Sequence, residues 1–322
     1  MRAYRIALLL TALLFISCVA AAQTPSGAVN SYKSGMSKMD KGDLEGAIDD
    51  YTRAIELSSR LGSNKSAKSS PWGTPFATEP ENSVSVVDPF TAVAYGNRGI
   101  AKMRKGDMEG AIADFTSALR IRPMLAEAYL NRGVAKRALG DMAGALADAE
   151  RALSINKNLY QALNNRASIL WERGDVDAAF NDLTKAIALN SKTPETFYNR
   201  GYIYIQKRDY DAALADFNRA IQLDPQLAES YQGRGVAWMS KADFEKAIAD
   251  FTRALELNPN LASSCMNRGL ALIVKGRDAE AQKDFDRCLS LEPSWKSDLE
   301  KKIELAKGIR ATLPSANVHE ED

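Results

Sequence analysis

The stretch AVAYGNRGIAKMRKGDMEGAIADFTSALRIRPML, Ala92 to Leu125, is 34 residues long and decides the fold. Small or apolar residues return every three or four positions, first as Tyr95, Gly99 and Met103, then as Ala111, Phe115 and Ala118. That is the period of a helix face. Gly106 and Asp107 divide the two runs. Glycine ends a helix readily in the left-handed region and aspartate caps the next one. Pro123 stops the second run. The stretch therefore predicts two antiparallel helices that approach closely at Gly99 and Ala111. Phe115 is the large group such a thin pair must bury against a neighbour.

Counting outward in steps of 34, further units occupy 28–61, 126–159, 160–193, 194–227, 228–261 and 262–295. All seven carry Ala at their twentieth residue (Ala47, Ala111, Ala145, Ala179, Ala213, Ala247, Ala281). Six carry Gly at the eighth, with Ala167 the exception. Five carry Phe or Tyr at the twenty-fourth, with Ala149 and Leu183 departing. This pattern resembles the tetratricopeptide repeat family, whose period is also 34. The resemblance implies an all-α fold: a right-handed α-solenoid of seven antiparallel helix pairs plus a C-terminal capping helix. It further implies a concave groove that binds peptides or partner proteins.

The segments outside the repeats are short. Residues 1–22 have Arg2 and Arg5 before an apolar run and end in Ala20-Ala21-Ala22, the parts of a secretory signal peptide. Cleavage after Ala22 is expected, giving an exported protein, periplasmic or secreted, with no membrane span in its mature form. The alternative is acylation at Cys18 as a membrane-anchored lipoprotein. Residues 23–27 form a linker. The Ser- and Pro-rich insertion 62–91 reads as a loop, yet it carries Trp72, Phe76, Val86, Val87 and Phe90. It is either a surface excursion anchored by one or two of these or an arm over the first groove segment. Residues 296–309 continue the helical period as a capping helix with a polar outer side. The acidic tail 310–322 reads as disordered.

Composition narrows the function. The 322 residues carry a formal charge of +1, which becomes −1 without Arg2 and Arg5. Such a balance argues against a nucleic-acid partner, which needs surplus cations. The one histidine, His319, lies near the end of the chain, so a histidine base or a multi-histidine metal site is not expected. No piece outside the repeats is long enough for a further domain. No cofactor, metal or enzymatic activity is expected. Cys265 and Cys288 fall on facing helices of the last unit, as a disulfide or as two buried thiols.

Two ladders run through the repeats. Asp stands at the twenty-third residue of every unit: Asp50, Asp114, Asp148, Asp182, Asp216, Asp250 and Asp284. Arg stands at the seventh in six: Arg98, Arg132, Arg166, Arg200, Arg234 and Arg268, with Ser34 in the first. Only if each Asp meets the Arg of the following unit does Asp50 find an arginine, and Asp284 would then meet Lys302. The expectation is an ion-pair ladder between repeats, structural in role.

The second ladder is Asn at the sixth residue: Asn97, Asn131, Asn165, Asn199 and Asn267, interrupted by Lys33 and Gly233. In the family this side of the first helix lines the groove. An amide offers both donor and acceptor to a peptide main chain; the alternative is a local bond within the fold. Between the rungs lie Met36, Met39, Ile100, Met103, Leu130, Val134, Trp171, Tyr198, Tyr202, Ile205, Val236, Met239, Met266 and Ile273. Met gives adaptable apolar contacts and Trp or Tyr anchor interfaces. These features predict a non-enzymatic adaptor that grips an extended, partly apolar segment of a protein or peptide partner. The rival is a scaffold for an envelope assembly, acting through its outer surfaces or the 62–91 insertion.

Overall fold

A computed structural model describes residues 24–65 and 89–312. The expectations for the leader, the Cys18 anchor, most of the insertion and the acidic tail lie outside these residues. The described residues contain fifteen α-helices and no strand.

The chain divides into two compact bodies, and the division falls at Gly174–Asp175, in the turn of the fourth repeat. The first body holds α1 (Ser26–Asp40), α2 (Leu44–Lys65), α3 (Pro89–Lys105), α4 (Met108–Ile121), α5 (Ala126–Ala138), α6 (Met142–Ile155) and α7 (Tyr160–Glu172). The second holds α8 (Val176–Leu189), α9 (Pro194–Gln206), α10 (Tyr210–Leu223), α11 (Ala228–Ser240), α12 (Phe244–Leu257), α13 (Ala262–Val274), α14 (Asp278–Leu291) and α15 (Lys296–Thr312). Within each body consecutive helices as far as α14 pack on one another, α15 packs back on α13, and alternate first helices (α3 with α5, α5 with α7, α9 with α11, α11 with α13) lie side by side. The first helices of successive repeats therefore form a continuous layer in each body.

The helix pairs close as their residues require. Gly106 stands at φ +93°, and the Asp107 carboxylate accepts from the Gly110 amide at 2.8 Å, so one dipeptide ends α3 and caps α4. Asp43, Asp141, Asp209 and Asp243 cap in the same way. A Cβ at Gly99 would lie 2.9 Å from the Phe115 ring, and one at Gly269 would lie 2.4 Å from Phe285. The eighth-residue glycine is thus the seat of the twenty-fourth-residue ring in its own repeat. Phe115, Phe217 and Phe251 are fully buried there. Where Ala149 replaces the ring, Gly133 meets the Ala145 carbonyl instead, at 3.1 Å from a Cβ.

The helices outrun the expected repeat boundaries. α2 continues to Lys65, and α3 begins at Pro89, so both ends of the 62–91 segment are helical rather than loop. Packing explains the upstream start of α3. Phe90 is buried edge-on against Tyr32 at 5.3 Å, and the Thr91 hydroxyl pairs with Ser58 at 2.6 Å. α1 likewise begins at Ser26, inside the expected linker, and α15 extends to Thr312, past the expected start of the tail. Leu299 and Ala306 of α15 pack against the last repeat.

Cys265 and Cys288 are buried free thiols on the facing helices of the last repeat, the second of the two forms the sequence allows. Burial pushes Cys265 up to about 11 and Cys288 upward as well.

Candidate functional site

The Asp–Arg ladder is built differently from the sequence expectation. Arg98, Arg132, Arg200, Arg234 and Arg268 each meet the aspartate of their own repeat. Arg98 donates from Nε and Nη2 to the two Asp114 oxygens at 2.8 and 2.7 Å. The same two-pronged contact joins Arg132 to Asp148, Arg200 to Asp216, Arg234 to Asp250 and Arg268 to Asp284. Asp114 does not reach Arg132, and Asp284 does not reach Lys302, which pairs with Asp298 at 2.7 Å. Asp50 does not need Arg98, because Lys38 lies 2.8 Å from it within the first repeat. Lys102 and Lys136 occupy the same eleventh position and make the matching third contact to Asp114 and Asp148. The correction has a geometric cause. The seventh and twenty-third residues face each other across one antiparallel pair.

The link between repeats comes from the third arginine nitrogen. Nη1 of Arg98 reaches back to the Thr52 hydroxyl at 2.9 Å, Arg132 to Thr116 at 3.2 Å, Arg234 to Asn218 at 2.7 Å and Arg268 to Thr252 at 3.1 Å. Each acceptor is the twenty-fifth residue of the preceding repeat. The aspartate holds the guanidinium plane, and the guanidinium sets the neighbouring second helix against it. Tyr95, Tyr129 and Tyr231 lie under Arg98, Arg132 and Arg234 at 5.3 to 5.5 Å. Hydrogen bonding to the paired carboxylate raises Arg132, Arg200, Arg234 and Arg268 above their ordinary range, with burial opposing it. These carboxylates are committed to the fold.

Charged pairs that truly cross between repeats lie elsewhere, on the edge formed by the turns within each pair. Lys105 meets Glu45 at 2.5 Å, Lys241 meets Asp211 at 2.5 Å and Lys275 meets Glu245 at 3.2 Å; Lys207 pairs with Asp177. In each the base is the fourteenth residue and the acid the eighteenth of the preceding repeat. Sequence reasoning missed this ladder, although Asp177, Asp211 and Glu245 each have a lysine thirty residues on. These side chains are exposed, where such pairs contribute little.

The layer of first helices carries the residues expected to meet a ligand. Asn97, Asn131, Asn165 and Asn199 are buried within it, and Asn267 is half-buried. Asn97 donates from Nδ2 to the Tyr32 hydroxyl of the preceding repeat at 2.5 Å. Burial pushes that phenol up to about 12, and the bond from Asn97 pulls it down. Among the described residues the Nδ2 atoms of Asn131 and Asn165 and the Oε1 of Gln161 are buried without a hydrogen-bond partner. At Gly233 the ladder breaks for a steric reason: a Cβ there would lie 2.3 Å from the Phe217 ring.

The apolar positions divide between packing and surface. Met103, Leu130, Tyr198, Tyr202, Ile100, Met266 and Ile273 are buried. Tyr198 and Tyr202 stack edge-on with each other at 5.1 Å, and Tyr202 does so with Phe217 at 5.3 Å. Met36, Met39, Val134 and Trp171 in the first body, and Ile205, Val236 and Met239 in the second, are half-buried and present part of their surface. In the second body the polar residues of this layer bond to one another. Gln232 donates to the Tyr202 hydroxyl at 3.5 Å, and the Ser264 hydroxyl donates to Gln232 at 3.2 Å.

No group of three or more His, Cys, Asp or Glu side chains arranged to hold a metal is present among the described residues. No helix among them is long and apolar enough to cross a membrane.

Comparison with known proteins places this architecture. The tetratricopeptide repeat pattern matches residues 31–60, 126–159, 194–227, 228–261 and 262–294, and a related pattern described as TPR repeat matches 99–140 and 167–207. No curated protein matches. Among solved structures, a tetratricopeptide repeat protein from Parabacteroides merdae is 20% identical, with 88% of this chain and 99% of that one covered at a TM-score of 0.59. The pilF structure from Pseudomonas aeruginosa is 20% identical over 66% of this chain and 97% of that one, TM-score 0.58. A chain of the APC/C hetero-tetramer Cut9-Hcn1 is 15% identical over 81% of this chain and 55% of that one, TM-score 0.61. At these identities the likeness is one of fold. The periodic glycine seats, the helix pairs and these matches agree: the chain belongs to the tetratricopeptide repeat family.

Proposed function

We propose that this protein is a non-enzymatic adaptor that holds an extended, partly apolar segment of a partner protein along its layer of first helices. The observation that carries this reading is the recurrence, at the ninth or twelfth residue of the first, third, fourth and sixth repeats, of half-buried Met36, Met39, Val134 and Trp171 in one body and Val236 and Met239 in the other. A polarizable, adaptable surface of this kind fits varied apolar side chains. The leader supports an exported protein cleaved after Ala22 or held by a lipid on Cys18; the mass of the mature N-terminus separates the two.

The test is selection of random-sequence peptides displayed on phage against the intact chain. Enrichment of unstructured sequences with spaced apolar residues is expected, with affinity falling about tenfold in Trp171→Ala, since an aromatic anchor typically contributes more than about 1 kcal/mol. Absence of any enriched sequence contradicts the reading. A second reading, a scaffold acting through its turns and ends, is favoured by large apolar side chains exposed at two turns and on α15. Met124, Leu139 and Leu305 are 65%, 51% and 66% exposed.

A further inference from the structure

The twelfth residue of the first helix is apolar in six repeats: Met39, Met103, Trp171, Ile205, Met239 and Ile273. In the third repeat it is Arg137. Arg137 stands in the last turn of α5, on one stripe with half-buried Val134 three residues before it. Its side chain is 14% exposed. Among the described residues it makes one contact, from Nη2 to a single oxygen of Glu172 on α7 at 2.6 Å. A guanidinium carries five N–H donors. The Nε and Nη1 of Arg137 meet no acceptor among the described residues, and neither is sealed from solvent.

The ladder arginines are held otherwise. Arg98 engages all three nitrogens, two on Asp114 and one on Thr52. Arg132, Arg200, Arg234 and Arg268 are raised above their ordinary range by the paired carboxylate. Arg137 is pushed below it by burial, and Glu172 returns less than burial removes. Glu172 is the last residue of α7 and 38% exposed, so its one-pronged contact is readily exchanged for water. A partly desolvated positive charge with unengaged donors calls for an anion, and the planar fork fits a carboxylate with two hydrogen bonds. The layer continues on both sides of α5, through α3 and α7, so a segment lying along it passes over Arg137 rather than ending there. That favours a side-chain carboxylate over a chain terminus. The nearby charge of Glu172 disfavours a phosphate dianion more than a carboxylate.

We propose that Arg137 selects an Asp or Glu side chain in the partner segment. The incoming carboxylate takes the guanidinium with two hydrogen bonds and displaces Glu172, while flanking apolar side chains rest on Val134 and Trp171. This rests on the adaptor function proposed above and gives the partner its charge.

The experiment repeats the random-peptide display with the intact chain and with R137M, which carries the residue present at this position as Met39, Met103 and Met239. Peptides enriched on the native chain should share an acidic residue at a fixed spacing from an apolar one. Those enriched on R137M should keep the apolar residue and lose the acid. Peptides joined to the phage coat at their C-terminus have no terminal carboxylate, so a shared acid is a side chain. One acidic peptide and its carboxamide counterpart are then titrated by fluorescence anisotropy. For the native chain, loss of the carboxylate should weaken binding by roughly ten- to hundredfold, the scale of a hydrogen bond to a charged group. For R137M the two peptides should bind within about twofold of one another. E172Q should bind the acidic peptide severalfold more tightly than the native chain does and the carboxamide peptide equally. Melting temperatures accompany the titrations, and E172Q with the peptide pair decides the matter if R137M unfolds. Enriched peptides without a shared acid, a carboxylate preference that persists in R137M, or an acidic peptide that gains nothing on E172Q overturns this site and leaves the adaptor function standing. If no peptide is enriched, both fall.

Discussion

Two turns carry a strain that single substitutions expose. Five of the seven turns within helix pairs place glycine at positive φ, but Arg208 and Ala242 adopt φ of 61° and 60° at the same point. A side chain in that region costs roughly 1–2 kcal/mol. Ala242→Gly should therefore raise unfolding stability by about 0.5–1 kcal/mol, after the greater entropy of the unfolded glycine is subtracted; a shift in the denaturant midpoint measures it. The opposite case is Gly269, where a Cβ would press on the Phe285 ring. Gly269→Ala should destabilise by about 1–3 kcal/mol through overpacking. Tyr32 supplies a pH dependence. Its buried phenol is neutral up to about 12, whereas in the unfolded chain it ionises near the ordinary tyrosine value of 10.0. The unfolded state thus loses its proton first as pH rises, and this stability is present below pH 10 and lost between 10 and 12. A Tyr32→Phe chain should show a shallower alkaline loss in denaturant titrations.

The individual helices, their turns and their seats of contact were legible in the sequence because each depends on residues within one period. Gly99 beneath Phe115 and Asp107 capping α4 are local facts, repeated often enough to be read without coordinates. The partner of Asp114 was not legible. A ladder with a fixed period has the same spacing whether Asp114 takes Arg98 or Arg132, so only the ends of the chain distinguish the two. At the first repeat Lys38 had taken the role of the missing arginine, which removed the clue. The observed pairing makes a direct prediction. Exchanging the charges as Arg200→Asp with Asp216→Arg should recover part of the stability lost in either single variant. Each single variant leaves a largely buried charge without its partner, at a cost of about 2–4 kcal/mol. A double variant no better than the worse single one would break the pairing inferred from the geometry.

For the molecule as a whole, the arginines do two tasks at once: each clamps its own helix pair and reaches back to the pair before it. The carboxylates and guanidinia lie between helices and are saturated by one another and by Thr52, Thr116, Asn218 and Thr252. They leave the layer of first helices as the surface with unpaired polar groups and partly exposed Met and Trp. The asparagine ladder was legible as a pattern but not as a set of distinct environments. Asn97 is committed because Tyr32 stands at the fifth residue of the repeat before it, a relation visible only once the helices lie side by side. The proposed position of the partner is this layer rather than the outer surfaces, and site-specific photocrosslinking tests it most directly. A benzophenone amino acid placed at position 171 or 239 should yield a covalent partner adduct in native extract, competed by a display-selected peptide, while one at the exposed position 189 on the second helix α8 should not. Adducts formed at 189 and absent from 171 and 239 would contradict it.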